Sequence, residues 1–137
     1  MPACAPAGRA STHPRRVGEI RPGTIVVVDD EQDLRELLCE LLQNRGYVVD
    51  AAGDGIEALA VLRDHDDVGL LLLDLRMPNL DGVGVLAEME ADPALRDIPV
   101  CMATATPELV PAGITYMTKP IAIGKLFTLI DHYLVRS

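Results

Sequence analysis

Five side chains with chemistry to offer each sit at the end of a short apolar run. Asp29 and Asp30 follow Ile25 to Val28, Asp74 ends the unbroken run Leu70 to Leu73, Thr104 closes Val100 to Thr104, and Lys119 follows Ile114 to Thr118. If the runs are neighbouring parallel strands, all five project from one edge of a sheet. Three carboxylates meeting there would repel one another and resist ionisation, unless a hard divalent cation such as Mg²⁺ took them as oxygen ligands. Lys119 would pair with the remaining anion, and Thr104 would add a neutral donor. This set suits transfer of a phosphoryl group onto a carboxylate: metal and ammonium offset charge on the phosphoryl oxygens while Asp74 attacks phosphorus. Taken singly, an Asp-Asp pair after a strand is an ordinary helix cap and a Lys-Pro an ordinary turn. Five such residues in order at strand ends argue for a site.

The rest of the chain reads as the frame for these positions. An apolar run of this length marks a strand buried on both faces, and the segment LLLLDLRMPNLDG turns after Asp74 through Met77-Pro78, Asn79 and Asp81-Gly82. After Asp29-Asp30-Glu31, Asp33 is expected to cap a helix with Leu34, Leu37, Leu38, Leu41 and Leu42 on one face, stopped by Asn44, Arg45 and Gly46. Tyr47 to Ala51 reads as a second strand. Gly53-Asp54-Gly55 leads into a helix carrying Ile56, Leu59, Ala60 and Leu62, and Val83, Leu86, Ala87 and Met89 mark another that Asp92-Pro93 should end. Ile123, Leu126, Leu129, Ile130 and Tyr133 or Leu134 define a last helical face. Alternating strands and helices predict an α/β fold with a parallel sheet and helices on both sides.

Bulk properties narrow the classes. With 137 residues, 49% of them hydrophobic and 3% aromatic, the chain has the size of one domain with a core of aliphatic side chains. It contains no apolar run of about 18 residues and no continuous apolar N-terminal segment, so no membrane association is expected and a cytoplasmic location is. The three cysteines show no metal-ligand spacing, and Cys39 and Cys101 are expected as small hydrophobes. The net charge of −9 is divided unevenly: residues 1–22 carry Arg9, Arg15, Arg16 and Arg21 against Glu19, a balance of +3, leaving −12 for the remainder. The proline-rich, basic stretch 1–22 reads as a flexible tail, and 23–137 as the domain. The acidic body argues against direct nucleic-acid binding.

Over residues 24–135 the chain resembles the receiver domain of two-component response regulators. VVVDDE at 26–31, LLLLDLRMPNLDG, DPALRDIPV at 92–100, MATA at 102–105 and YMTKP at 116–120 carry the likeness, in order and at the family's spacing. It implies a flavodoxin-like five-stranded sheet in the order 2-1-3-4-5 and a phosphorylation-switched signalling protein. Asp74 would accept phosphate from a histidine kinase or phosphotransfer protein. Asp29, Asp30, Asp74 and the backbone carbonyl of Arg76 would serve the Mg²⁺ site, with Thr104 and Lys119 binding the phosphoryl group. Tyr116 matches the aromatic switch residue that moves inward with the threonine. No output module follows the last helix in this sequence, so the likeness is to stand-alone regulators acting through a downstream partner. Autophosphorylation and slow self-dephosphorylation are side activities on this reading, not a metabolic enzyme activity.

An aspartyl phosphohydrolase would want a carboxylate two residues after Asp74, where Arg76 stands. A receiver-shaped binding module without phosphorylation would not need the full set of Asp29, Asp30, Asp74, Thr104 and Lys119. A dinucleotide binder would carry G-x-G-x-x-G after the first strand, and this chain does not. Two departures from the family pattern stand out. Arg76 can overhang the phosphoryl group or face solvent. The nine residues Ala105 to Gly113 include Pro107, Pro111 and Gly113, so the helix between the fourth and fifth strands should be shortened or missing. The apolar surface left on strands four and five, with the last helix, would then suit a partner or a homodimer.

Overall fold

The computed structural model describes residues 23–134; the expected N-terminal tail, 1–22, lies outside the described residues. Five strands, β1 (Thr24–Val28), β2 (Val48–Ala52), β3 (Val68–Asp74), β4 (Val100–Thr104) and β5 (Thr115–Thr118), alternate with helices α1 (Gln32–Asn44), α2 (Gly55–Asp64), α3 (Gly82–Glu90) and α4 (Ile123–Tyr133). The strands are all parallel, in the order β2-β1-β3-β4-β5. This is the flavodoxin-like sheet that the resemblance implied, built on the parallel strands that the alternation predicted. Between β4 and β5 there is only a single 3₁₀ turn, Pro107–Leu109, as the two prolines and the short connection require.

Each face of the sheet carries its own core. Val26, Val28, Leu71 and Leu73 pack with Leu59 and Leu62 of α2 and Val85 and Met89 of α3. Ile25, Val27, Leu70 and Leu72 pack on the other side with Leu38 and Leu42 of α1 and Leu126 and Ile130 of α4. Consecutive residues of β1 and β3 thus feed opposite cores, which is why both runs are apolar without alternation. The four leucines of β3 are no more than 4% exposed, and at about 2 kcal/mol each they make this strand the main hydrophobic anchor of the sheet.

Helix positions differ from expectation in several places. Asp33 does not cap α1: the helix starts one residue earlier, Glu31 is its N-cap without a side-chain hydrogen bond, and Asp33 lies in the first turn. Asp54 and Asp81 are the true side-chain caps, accepting from Glu57 N–H and Gly84 N–H. Leu37, Ile56 and Val83, expected on buried faces, are 50%, 58% and 44% exposed, and Ala60 and Ala87 also face solvent. Cys39, Ala58 and Val85 are buried beside them instead. β2 begins at Val48 rather than Tyr47, whose side chain is nevertheless buried. Cys101 is a free, buried thiol as expected, whereas Cys39 is disulfide-bonded.

Candidate functional site

Parallel pairing brings the carboxyl ends of β1, β3, β4 and β5 to one edge. Val28 is in register with Leu73, Asp74 with Ala103, and Thr104 with Thr118. The residues at these ends, Asp29, Asp30, Asp74, Thr104 and Lys119, therefore come together as expected. One carboxylate oxygen each from Asp29, Asp30 and Asp74 lie within 4.8 Å of one another. Asp29, Asp74 and Thr104 are buried and Asp30 is exposed, so the cluster opens to solvent on one side.

Lys119 reaches into this cluster. Its Nζ is 2.7 Å from Asp29 Oδ2, 3.5 Å from Asp74 Oδ1 and 3.9 Å from Glu31 Oε1. Its backbone N–H donates to the Thr104 carbonyl, which ties the end of β5 to that of β4. Burial alone would lower the ammonium pKa, but the hydrogen bond to Asp29 and the charges of Asp29, Asp74 and Glu31 outweigh it and raise it. Asp29 serves two purposes: Oδ1 accepts from Glu31 N–H at 2.9 Å, fixing the turn into α1, while Oδ2 faces the lysine.

The Asp74 carboxyl is electrostatically unsettled. Burial, then the charge of Asp29 and that of Asp30, push the Asp74 carboxyl up to about 6, against the opposing pull of Lys119 and a hydrogen bond from the Arg76 backbone. Convergent oxygen donors, one of them raised by burial and by the charges of its neighbours, are the donor set that a hard cation favours. Glycine holds this end of β3 in place. A Cβ at Gly82 would come 2.6 Å from the Asp74 carbonyl oxygen and 2.5 Å from Met102 Cε, so α3 can begin this close to Asp74 only because residue 82 has no side chain.

Three contacts were not read from the sequence. The Thr104 hydroxyl lies 3.0 Å from that of Thr106 and accepts from Thr106 N–H at 2.9 Å, a local serine/threonine-type turn for which the T-A-T spacing was the available signal. Arg35, on α1, donates from Nη1 to the Asp29 carbonyl oxygen at 2.6 Å. Asn79, with φ 68°, donates to Asp54 Oδ2 at 2.8 Å and links the loop after β3 to the cap of α2. Tyr116 is half exposed on β5. Arg76 is exposed and borders an open cleft of about 480 Å³ with Leu75, Met77, Asp81, Val83 and Leu109, on the side where the connecting helix is reduced to one turn.

Residues 25–131 match the family model of the response regulator receiver domain, and the chain belongs to that family. Among curated relatives, the polar-differentiation response regulator DivK of Brucella anthropi is 30% identical over 120 residues, which cover 82% of this chain and 97% of DivK. The receiver domain of the hybrid histidine kinase CckA superposes with a TM-score of 0.71 at 32% identity, covering 82% of this chain and all of that one. The receiver domain of the sensor histidine kinase PA1611 from Pseudomonas aeruginosa PAO1, solved with a magnesium ion in its active site cleft, gives a TM-score of 0.72 at 26% identity, over 82% and 97% of the two chains. The chain spans about a third of the length of several curated transcriptional regulators it also matches. It is thus a receiver of two-component signalling, a class of signalling proteins rather than metabolic enzymes, and its acidic cluster is of the kind in which receivers bind Mg²⁺. Among the described residues, no helix is long and apolar enough to cross a membrane.

Proposed function

We propose that Asp74 is the phosphoacceptor of this receiver and that its phosphorylation by a histidine kinase or phosphotransfer protein changes how the domain docks to a downstream protein. The observation that carries this reading is the grouping of Asp74 with Asp29, Asp30 and Lys119 at the carboxyl edge of the central strand. Asp29, Asp30, Asp74 and the backbone carbonyl of Arg76 would hold Mg²⁺. When bound, that ion supplies positive charge against the oxygens of the transferring phosphoryl group.

The chain's own residues account for the rest. A carboxylate oxygen of Asp74 attacks phosphorus as the P–N bond of the donor phosphohistidine breaks, the bonding pair leaving with the imidazole nitrogen. The product is an acyl phosphate on Asp74. Lys119, 3.5 Å from Asp74 Oδ1, is within a small side-chain movement of a new phosphoryl oxygen. Thr104 reaches the same group by exchanging its contact with the Thr106 hydroxyl for one with phosphate. Tyr116, two residues before Thr118 and now outside, then has a reason to turn inward as the threonine moves. Small phosphodonors serve as well, and hydrolysis by water resets the switch slowly. The domain works in the cytoplasm, where its kinases are, and a second copy docks on the face formed by β4, β5 and α4.

The test is intact-mass analysis after incubation with Mg²⁺ and acetyl phosphate, wild type against Asp74→Asn. One phosphate added to the wild type and none to the variant is the expected result. Labelling that persists in the variant would reject Asp74 as the acceptor.

A further inference from the structure

The loop that leaves Asp74 has little core of its own to hold it. Arg76, Pro78, Asn79 and Asp81 are exposed, and Met77 and Leu80 are partly buried against the core. Its two ends are pinned: the Arg76 N–H bonds to the Asp74 carboxyl, and the Gly82 N–H donates to the Leu75 carbonyl oxygen at 2.8 Å. Between them the loop is braced from outside, by the first turn of α2. Asn79 Nδ2 donates to Asp54 Oδ2 at 2.8 Å. One residue on, Leu80 lies so close to Gly55 that a Cβ there would come 2.2 Å from the Leu80 carbonyl oxygen.

Both members of the Asn79–Asp54 pair are suited to this contact. Asp54 Oδ1 accepts from Glu57 N–H at 2.8 Å, which caps α2, and leaves Oδ2 for Asn79. The Glu57 N–H and then the Asn79 amide hold the Asp54 carboxyl below its ordinary range, so Asn79 donates to a full negative charge, the stronger kind of hydrogen bond. Asn79 itself has φ 68°, in the left-handed region. Glycine would serve that backbone at no steric cost, so what asparagine adds here is the donor.

A backbone carbonyl serves a small, hard cation only if the chain around it is held. Mg²⁺ demands near-octahedral geometry with ligands at about 2.1 Å, and groups outside the coordination sphere that fix a ligand commonly change metal affinity by about tenfold or more. We propose that Asn79 and Asp54 are positioning residues of the metal site: their hydrogen bond locks the loop 76–81 onto α2 and so fixes the Arg76 carbonyl, three residues before Asn79, for the cation. The inference rests on the reading of Arg76 as a backbone ligand and adds two residues that are not ligands themselves. It places part of the site's support on α2, an element that supplies none of the proposed ligands.

Mg²⁺ titration of the full chain, followed by ¹⁵N amide shifts, tests the two levels separately. The Met77 amide nitrogen is bonded to the Arg76 carbonyl carbon, so its shift reports coordination of that carbonyl. Asn79→Gly keeps the left-handed backbone and the net charge while removing the donor. It should raise the Mg²⁺ concentration at the Met77 midpoint about fivefold, less than for a buried outer partner because this contact is exposed, and leave the metal-free urea midpoint unchanged. Exchanging the pair, Asp54→Asn together with Asn79→Asp, keeps the net charge, an acceptor to cap α2 and a hydrogen bond of reversed sense, and should return the Mg²⁺ midpoint to within about twofold of wild type. Equal Mg²⁺ midpoints in wild type and Asn79→Gly would overturn the positioning role and leave the metal site standing. So would an exchanged pair that binds as weakly as Asn79→Gly, or a metal-free urea midpoint that falls along with the affinity, since the residue would then be merely structural. If Mg²⁺ leaves Met77 unmoved in the wild type, Arg76 is not a ligand, and the reading beneath this proposal fails with it.

Discussion

Lys119 stands closer to Asp29 than to Asp74: its ammonium makes a 2.7 Å ion pair with Asp29 Oδ2 and stays 3.5 Å from Asp74 Oδ1. The lysine therefore belongs mainly to the carboxylate at the end of β1, and Asp74 keeps only part of its charge compensation. In the proposed reaction, Asp74 is thus the carboxylate with a lysine contact still to gain.

Lys119→Ala should separate metal binding from signalling. Removing a positive charge from the cluster leaves Mg²⁺ affinity unchanged or raises it, while the structural response to phosphorylation is lost. Asp29, 3% exposed, loses its charged partner, so the metal-free variant should also be less stable by about 3 kcal/mol. Calorimetric Mg²⁺ titration and urea unfolding read the two effects, and lost metal binding would refute this role for the lysine.

Asp74 makes stability depend on pH in a direction that can be worked out. Its carboxyl is raised to about 6 in the folded domain, above its ordinary 3.8, so between those values the folded state holds more protons than the unfolded chain. Stability must then fall as pH rises from about 4 to 6, by about 3 kcal/mol from this group at most. Asp74→Asn removes the contribution. In Mg²⁺-free buffer the variant should gain on the wild type through this window and be the more stable of the two at pH 7. Parallel urea midpoints for the two proteins at pH 4, 5, 6 and 7 would contradict it.

Asp30→Ala should abolish Mg²⁺-dependent labelling of Asp74, because it removes the one exposed carboxylate of the cluster and halves the acidic pair after β1. Its exposure means that the fold itself should tolerate the change. Unaltered Mg²⁺ affinity in the variant would count against the assignment.

Gly82→Ala should damage the site without touching any of its charges. The new methyl would meet Met102 Cε at 2.5 Å and the Asp74 carbonyl oxygen at 2.6 Å, forcing α3 away from the end of β3. A stability loss of about 2 kcal/mol is expected for such overpacking, with slower phosphorylation of the displaced acceptor. Wild-type unfolding and labelling rates would show that this close approach does not matter.

The strands, and the meeting of the polar residues that follow them at one edge, were legible in the sequence for one reason. A parallel strand buried on both faces is a run of apolar residues with an abrupt polar end, and that end is where the ligand edge lies; β1 and β3 each state this twice, in composition and in the acid that follows. The helix faces were harder because α2, with Ile56, Ala58, Leu59, Ala60, Val61 and Leu62, is apolar nearly all round. Hydrophobicity there cannot say which side meets the sheet, and Ile56 was assigned to the wrong one. Capping at Asp33 failed because Asp29, four residues earlier, already holds the turn through Glu31 N–H. The preference of Lys119 for Asp29, at 2.7 Å, over Asp74, at 3.5 Å, is a matter of less than an ångström between strand ends, which order along the chain does not encode.

The missing helix between β4 and β5 gives the last prediction. Only the single turn Pro107–Leu109 crosses from β4 to β5, and the residues around it are correspondingly open: Leu109 is 49% exposed and Tyr116 50%. Below them a cleft of about 320 Å³ is bordered by Leu86, Met89, Val100 and Ile114 together with the charged Glu90 and Arg96. A helix of two or more turns would cover such surface with its own apolar stripe, and here the chain has no residues to spare for one. If a second copy of the domain supplies the cover, the contact should respond to the proposed switch, because Tyr116, half exposed on the same face, is the residue proposed to turn inward with Thr104. Sedimentation equilibrium with Mg²⁺, with and without acetyl phosphate, should therefore show a monomer–dimer equilibrium whose constant changes on phosphorylation. Leu109→Asp and Tyr116→Ala should each weaken the dimer about tenfold, as expected when one apolar or aromatic anchor is removed from a small interface. Neither variant should abolish Mg²⁺ binding, since neither residue is one of the three clustered carboxylates. A protein that stays strictly monomeric in both states would exclude the dimer and leave this surface to a different downstream protein.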